Sequence, residues 1–370
     1  MTRPHALAIA VLIACAAAAR AQDAAPHAEY VEREFRMQVP GSNPQGLDVL
    51  EVYISTPGKH PLALLTHGTA ALPEDRLQVT PWAQLSQAIW FARRGYVALV
   101  IVRRGYGNSG GKQDSSENGC HGGSFEDAGE DAADDLRNAV IYAEKNLPEV
   151  DTSTIISAGV STGGFTQVAL AAKPPAGLKA ALDFAGGRGG NGKGDLCNES
   201  GLLSAYKSFG KHVRTPMLWI YAENDKWFPP PFARKFEAAF QSGGGTEEFI
   251  LAPPDGEDGH GLYSHAAVWG PTVDTFLRAH QLLAVDPPLP APTAPPIDPP
   301  AGLRERGQDA FKSFLILGPH KAFAINSAGV YGYAVGWFTQ QLADQHALDN
   351  CNKNVHGGPP CTIVARGPSK

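Results

Sequence analysis

The 370-residue chain lacks what several function classes require. Charged residues make up only 18%, and 31 Lys and Arg stand against 37 Asp and Glu for a formal net charge of −6. No basic run or stripe stands out, so a phosphate-backbone partner finds no electrostatic footing and nucleic-acid binding is excluded. Cysteines number five, none in a C-x-x-C pair or close Cys/His spacing, which argues against zinc. The apolar stretch from Ala6 to Ala19 is too short and alanine-rich for a membrane span. What is present is ordinary for a globular protein: 43% hydrophobic residues in a length that suits one large domain plus a smaller one.

The N-terminal stretch has one early arginine, the apolar run and a small-x-small site at Ala19-Arg20-Ala21. These are the parts of a signal peptide over residues 1–21, cleaved after Ala21 for export to the periplasm or beyond. A second reading takes "LIAC" as a lipoprotein box that leaves Cys15 as a lipid-bearing first residue. Once Cys15 leaves with the signal, Cys120, Cys197, Cys351 and Cys361 remain. An even number bound for an oxidising compartment predicts two disulfides. Four cysteines allow three pairings, but Cys351 and Cys361 lie close together beyond a proline-rich stretch, which leaves Cys120 to pair with Cys197.

That stretch, "AVDPPLPAPTAPPIDPPAG" over residues 284–302, reads as an extended polyproline-type linker dividing the chain. Before it, over residues 28–283, eight strand-like runs alternate with helical segments: "EYVEREFRMQV", "LDVLEVYIST", "PLALLTHG", "YVALVIVRRG", "TIISAGVS", "LKAALDFAGG", "TPMLWIYAEND" and "EEFILAPP". Continuous apolar character in the later runs predicts an α/β fold: a mostly parallel eight-stranded sheet with helices on both faces, its first two strands an antiparallel hairpin. After the linker, residues 303–370 read as a small β-β-α-β module stapled by Cys351 and Cys361, since so thin a core needs a staple.

Ser161 is the centre of the chemistry. Gly159-Val160-Ser161-Thr162-Gly163 follows a strand and precedes a helix, the context in which G-x-S-x-G presents a nucleophile on a sharp turn. The helix start aims the Thr162 N–H at developing negative charge. A serine needs a base, and the base a carboxylate. In the chain order serine, acid, histidine, Asp225 stands at the end of the seventh run and His260 beyond the eighth. Glu223 and His265 are the runners-up; Glu223 lies nearer the strand body and His265 opens a helical stretch. The second oxyanion donor is expected after the third run, at the N–H of Thr69.

Three features invite over-reading. "GRGGNGKG" over residues 187–194 fits a phosphate-binding loop except that the hydroxyl which would hold magnesium is missing. The acidic run from Glu126 lacks a spaced calcium loop and reads as a helix start favoured by the dipole. The arginines of "VRRGYGNSGG" line either a pocket mouth or a structural ion pair.

Taken as a set, "THGTA", "RRGYGNSGG", "GVSTGG", "DFAGGRGG", "YAENDKWF" and "EDGHG" resemble the α/β-hydrolase superfamily from about Val31 to Leu283, and within it exported bacterial proteins related to dienelactone hydrolase. The resemblance implies a Ser161–Asp225–His260 triad that hydrolyses a small-molecule or peptidic ester without a cofactor. Dienelactone hydrolases proper use a cysteine nucleophile where this chain has Ser161, so a carboxylesterase is the expected activity. The tail from Lys321 resembles a small module found on exported bacterial proteins. Two other readings remain: a serine peptidase of the prolyl-oligopeptidase kind, which shares the triad order, and an envelope-binding protein that docks through the tail and carries a relic hydrolase domain.

Overall fold

The computed structural model describes residues 30–70, 74–112, 118–120 and 122–367. The expected signal peptide and Cys15 lie outside them. All eight strand-like runs form strands: β1 (Tyr30–Met37), β2 (Leu47–Ile54), β3 (His60–Thr66), β4 (Val97–Val102), β5 (Val150–Val160), β6 (Leu178–Phe184), β7 (Met217–Ala222) and β8 (Glu248–Ala252). They make one sheet in the order β1-β2-β4-β3-β5-β6-β7-β8. β1 pairs antiparallel with β2, and β2 with β4; the other pairs are parallel.

Why the inner strands read as unbroken apolar runs is visible in β3. Leu62 and Leu64 enter one core while Ala63 and Leu65 enter the other, so a strand covered on both faces has no solvent side to mark with polar residues. The first core is closed by α2 (Phe125–Asn146), α3 (Thr162–Ala172), α4 (Glu199–Gly210) and α5 (Pro230–Ser242), through Leu136, Phe165, Phe209 and Phe236 among others. The second is closed by α1 (Leu85–Ala92) and α6 (Ala266–Ala279), with Phe91, Trp269 and Phe276. The acidic run begins α2, where Ser124 Oγ caps the Asp127 N–H at 3.2 Å. Among the described residues no helix is long and apolar enough to cross a membrane.

Sheet order also locates a site. From β3 the chain moves toward β4, whereas from β5 it moves the other way, toward β6. The two connections part at the carboxyl ends of β3 and β5 and leave a crevice there, the place where open α/β sheets bind ligands.

Residues 284–302 contain no helix or strand, but they are not a free spacer. The N–H groups of Val285 and Leu289 donate to the carbonyls of Arg94 and Arg93 at 3.1 and 2.8 Å, and Tyr30 donates its hydroxyl to Pro290 O at 2.6 Å. The C-terminal part has the expected β-β-α-β order, with one further helix in front of it. α7 (Glu305–Ile316) leads into β9 (Ala322–Ile325), β10 (Tyr331–Ala334), α8 (Gln340–Asn352) and β11 (Thr362–Arg366), and the three strands form an antiparallel sheet ordered β10-β9-β11. α7 buries Gly307, Phe311 and Phe314 on one face, so its amphipathic spacing is present in the sequence. Disulfides join Cys120 to Cys197 and Cys351 to Cys361. The small sheet leans on the large domain where Thr80 donates its hydroxyl to Gly336 O.

Candidate active site

Ser161 occupies the turn between β5 and α3 with φ 58° and ψ −121°, a conformation costing an L-residue about 1–3 kcal/mol unless its surroundings enforce it. They do so here by hydrogen bonds on both sides of the residue. Ser161 N–H donates to Phe184 O at 2.9 Å, and Ser161 O accepts from Phe165 N at 2.9 Å and Gly187 N at 3.1 Å. The flanking glycines are required by space. A Cβ on Gly159 would stand 2.4 Å from Gly163 O, and one on Gly163 would stand 2.5 Å from His67 O.

Asp225 follows β7 and is almost fully buried. Its Oδ1 accepts the N–H groups of Trp227 and Phe228, both at 2.8 Å, which fixes the carboxylate before any partner arrives. His260 stands in a 3₁₀ turn (Gly259–Ser264) after β8 and meets Asp225 through Nδ1, 3.0 Å from Oδ2 and 3.2 Å from Oδ1. With Nδ1–H donated to the carboxylate, Nε2 carries the lone pair and can accept a proton. Asp258 supplies a latch that sequence reading did not weigh: its Oδ1 accepts from His260 N at 3.1 Å and from Lys226 N at 3.0 Å, joining the histidine loop to the acid loop. Among the described residues no hydrogen bond joins Ser161 Oγ to His260; such contacts often close only around bound substrate.

The runners-up lie elsewhere. Glu223 is exposed. His265 pairs with Asp255 and is half exposed, lining a groove beside α1 and α6 instead of the serine cleft. A third acid sits beneath the elbow. Asp183, at the end of β6, is fully buried, and burial pushes its carboxyl well above the usual range against a backbone hydrogen bond from Gly186 that lowers it.

Ser161 opens on a cleft of about 340 Å³. Thr69 and Thr162 line it beside the serine, together with the glycine-rich loop 187–190, the Trp227 and Phe228 that pack against that loop, Arg76, Arg188 and the Cys120–Cys197 disulfide. The N–H groups of Thr69 and Thr162 have no acceptor among the described residues. Two unfilled N–H donors beside the Ser161 hydroxyl have the chemistry that an oxyanion would accept from. "GRGGNGKG" is therefore a cleft wall in this fold. Of the two arginines in "VRRGYGNSGG", neither lines the cleft: Arg104 pairs with Asp135 through Nε at 2.7 Å, and Arg103 is fully buried with Nη2 donating to Thr162 Oγ1 at 3.1 Å. Tyr106 from the same loop reaches Thr69 Oγ1 at 2.8 Å; a buried tyrosine after a strand gives no signal of that reach in the sequence. Among the described residues no group of three or more His, Cys, Asp or Glu side chains could hold a metal ion.

Residues 45–210 match the family model described as X-Pro dipeptidyl-peptidase (S15 family); the match includes Thr69 and Ser161 and ends before Asp225 and His260. A search among curated protein sequences gives no match. Among solved structures the chain is similar to the acylaminoacyl peptidase of Pyrococcus horikoshii, with 16% identity over 67% of this chain and 41% of that one and a TM-score of 0.48. It thus spans about two fifths of that protein's length. An esterase of Pyrococcus furiosus is 15% identical over 68% of this chain and 93% of its own, with a TM-score of 0.46. A provisionally assigned dienelactone hydrolase of Klebsiella pneumoniae is 15% identical over 69% and 99%, with a TM-score of 0.45.

Proposed function

We propose that this chain, a serine hydrolase of the α/β-hydrolase superfamily, is an exported carboxylesterase working through an acyl-enzyme on Ser161. Ser161 Oγ attacks the ester carbonyl while His260 Nε2 takes the hydroxyl proton and Asp225 stabilises the imidazolium. The tetrahedral oxyanion accepts hydrogen bonds from the Thr69 and Thr162 N–H groups. Collapse breaks the bond to the alcohol oxygen, which leaves with the proton from His260. Water then attacks the acyl-enzyme, giving its proton to His260, and the acid departs as Ser161 recovers the proton.

The observation that carries this reading is the Asp225–His260 pair, 3.0 Å apart, with the carboxylate pre-fixed by two backbone N–H groups. Residence outside the reducing cytoplasm is supported by the two disulfides. Turnover of p-nitrophenyl esters from acetate to long acyl chains, with Ser161→Ala as control, tests the reading. Loss of activity in the folded variant supports it. Ester turnover that persists in Ser161→Ala overturns it.

The S15 family match favours a second reading, peptide-bond hydrolysis by the same groups. Matched ester and Xaa-Pro anilide substrates separate the two: a higher kcat/KM on the anilide would make the chain a peptidase.

A further inference from the structure

Four side chains meet under the oxyanion donors, and counting their protons assigns one more group to the chemistry. Thr69 Oγ1 lies 2.8 Å from Tyr106 Oη and 3.0 Å from Thr162 Oγ1, and Arg103 Nη2 lies 3.1 Å from Thr162 Oγ1. A hydroxyl has one proton to give and two lone pairs to fill, whereas a guanidinium only gives. Arg103 therefore donates to Thr162 Oγ1, and the Thr162 proton must go elsewhere. Among the described residues its one other side-chain neighbour within hydrogen-bond reach is Thr69 Oγ1. Tyr106 is fully buried, and among the described residues its hydroxyl has only Thr69 Oγ1 within reach. A buried hydroxyl left without an acceptor is costly; Tyr106 and Thr162 are buried whereas Thr69 is partly exposed, so both protons are assigned to Thr69. Its two lone pairs are then filled, its own proton has no acceptor left among the described residues, and Thr69 lines the Ser161 cleft, into which that proton can point.

We propose that the Thr69 hydroxyl is a third oxyanion donor, aimed into the cleft by Tyr106 and Thr162 and polarised through Thr162 by Arg103. The inference rests on the acyl-enzyme reading given above and adds a catalytic role for a side chain where that reading uses only backbone. Arg103, Tyr106 and the Thr162 side chain act as positioning residues. Arg103 is itself firmly held, since Nη1 donates to Thr66 Oγ1 at 2.8 Å and to His67 O, and its backbone N–H donates to His67 Nε2 at 3.1 Å. A hydrogen bond received from a cation strengthens the next one in the chain. The polarised proton meets charge that exists only once the carbonyl has become tetrahedral, so its contribution belongs to kcat rather than to substrate binding.

The test compares Thr69→Val, which replaces the hydroxyl with a methyl of similar shape, with Thr69→Ser, which keeps it. Steady-state kinetics on the best p-nitrophenyl ester, affinity for an arylboronic acid that forms a tetrahedral adduct on the serine, and thermal melting are read together. Thr69→Val should lower kcat by about 10²-fold, the order for one lost oxyanion donor, with KM within about threefold and a matching loss of boronate affinity. Thr69→Ser should recover most of that loss. Tyr106→Phe, which leaves one lone pair of Thr69 open, should lower kcat by about 3- to 10-fold as a loss of alignment, and it serves as the second variant if Thr69→Val does not fold. A folded Thr69→Val with the kcat and boronate affinity of the parent overturns the inference and leaves the acyl-enzyme reading standing. Parent protein that shows no Ser161-dependent turnover and no phosphonate labelling overturns both.

Discussion

The Trp227 indole lies over the His260 imidazole, with ring centres 5.5 Å apart and planes inclined by 29°. Phe228 meets the same imidazole edge-on at 5.6 Å. Both aromatics follow closely on Asp225 and give it their N–H groups, so one short segment fixes the carboxylate and packs the imidazole.

Removing the stack should therefore cost rate more than binding. Trp227→Ala is expected to lower kcat by about 10-fold, because an imidazole free to tilt spends less time aligned with the serine. Trp227→Phe should recover part of the loss. Stopped-flow acylation rates check this; an unchanged acylation rate in Trp227→Ala would show that Asp225 alone orients the base.

Asp225→Asn should be more damaging than its size suggests. The Trp227 and Phe228 N–H groups hold the side-chain carbonyl oxygen, so the new amide turns its NH₂ toward His260 Nδ1. That nitrogen must then accept, which moves the imidazole proton to Nε2 where the base should be. A loss of about 10⁴ in kcat is expected for a tautomer reversed in this way. Comparison of kcat with the melting temperature separates tautomer from damage to the fold.

Stability should fall as the medium becomes alkaline, through a buried acid far from the cleft. Glu51 on β2 is fully buried at its side chain, and burial, with the neighbouring Glu149 adding to it and Arg33 opposing, pushes its carboxyl up to about 8 from 4.5. Between those values the native chain keeps a proton that the unfolded chain has released, so unfolding free energy declines from pH 4.5 toward pH 8. Asp48, raised to about 7 mainly by burial, acts in the same direction. Glu51→Gln keeps the shape and removes the titration. Its melting temperature should lose less than the parent's between about pH 5 and about pH 9; parallel curves would rule the mechanism out.

The Cys120–Cys197 disulfide closes a loop with a sequence separation of 77 and lines the cleft. Loop entropy gives such a bridge about 4 kcal/mol of stabilisation. The Cys120→Ser, Cys197→Ser pair should melt well below the parent and show a raised KM. Equilibrium denaturation and ester kinetics on the double variant measure both.

Much of this was legible in the sequence because it depends on short-range pattern. Eight strand-like runs became eight strands, the later ones apolar throughout because a strand buried on both faces must be, and the run "TIISAGVSTGGF" gave the elbow because its glycines answer steric demands that arise at the turn itself. The Thr69–Thr162–Tyr106–Arg103 chain was not legible. It joins the ends of β3 and β4 to the start of α3, and the sheet order that brings these together is a tertiary fact. Asp258 was hidden for a similar reason: it stands two residues before His260, but its second partner, Lys226, belongs to another loop. The contacts of the proline-rich stretch were not legible, because composition reports stiffness and gives no account of what a stiff segment lies against.

That stretch alters what counts as the end of the large domain. Helix α1 finishes at Ala92, and the carbonyls of Arg93 and Arg94 just beyond it receive their hydrogen bonds from Leu289 and Val285. Val285 also fills the space over Gly95, where a Cβ would stand 2.8 Å from its Cγ2. A proteolytic cut after Leu283 would thus leave the two carbonyls that follow the helix without these donors and uncover apolar surface beside β4, whereas a cut beyond Pro292 would leave that seam closed.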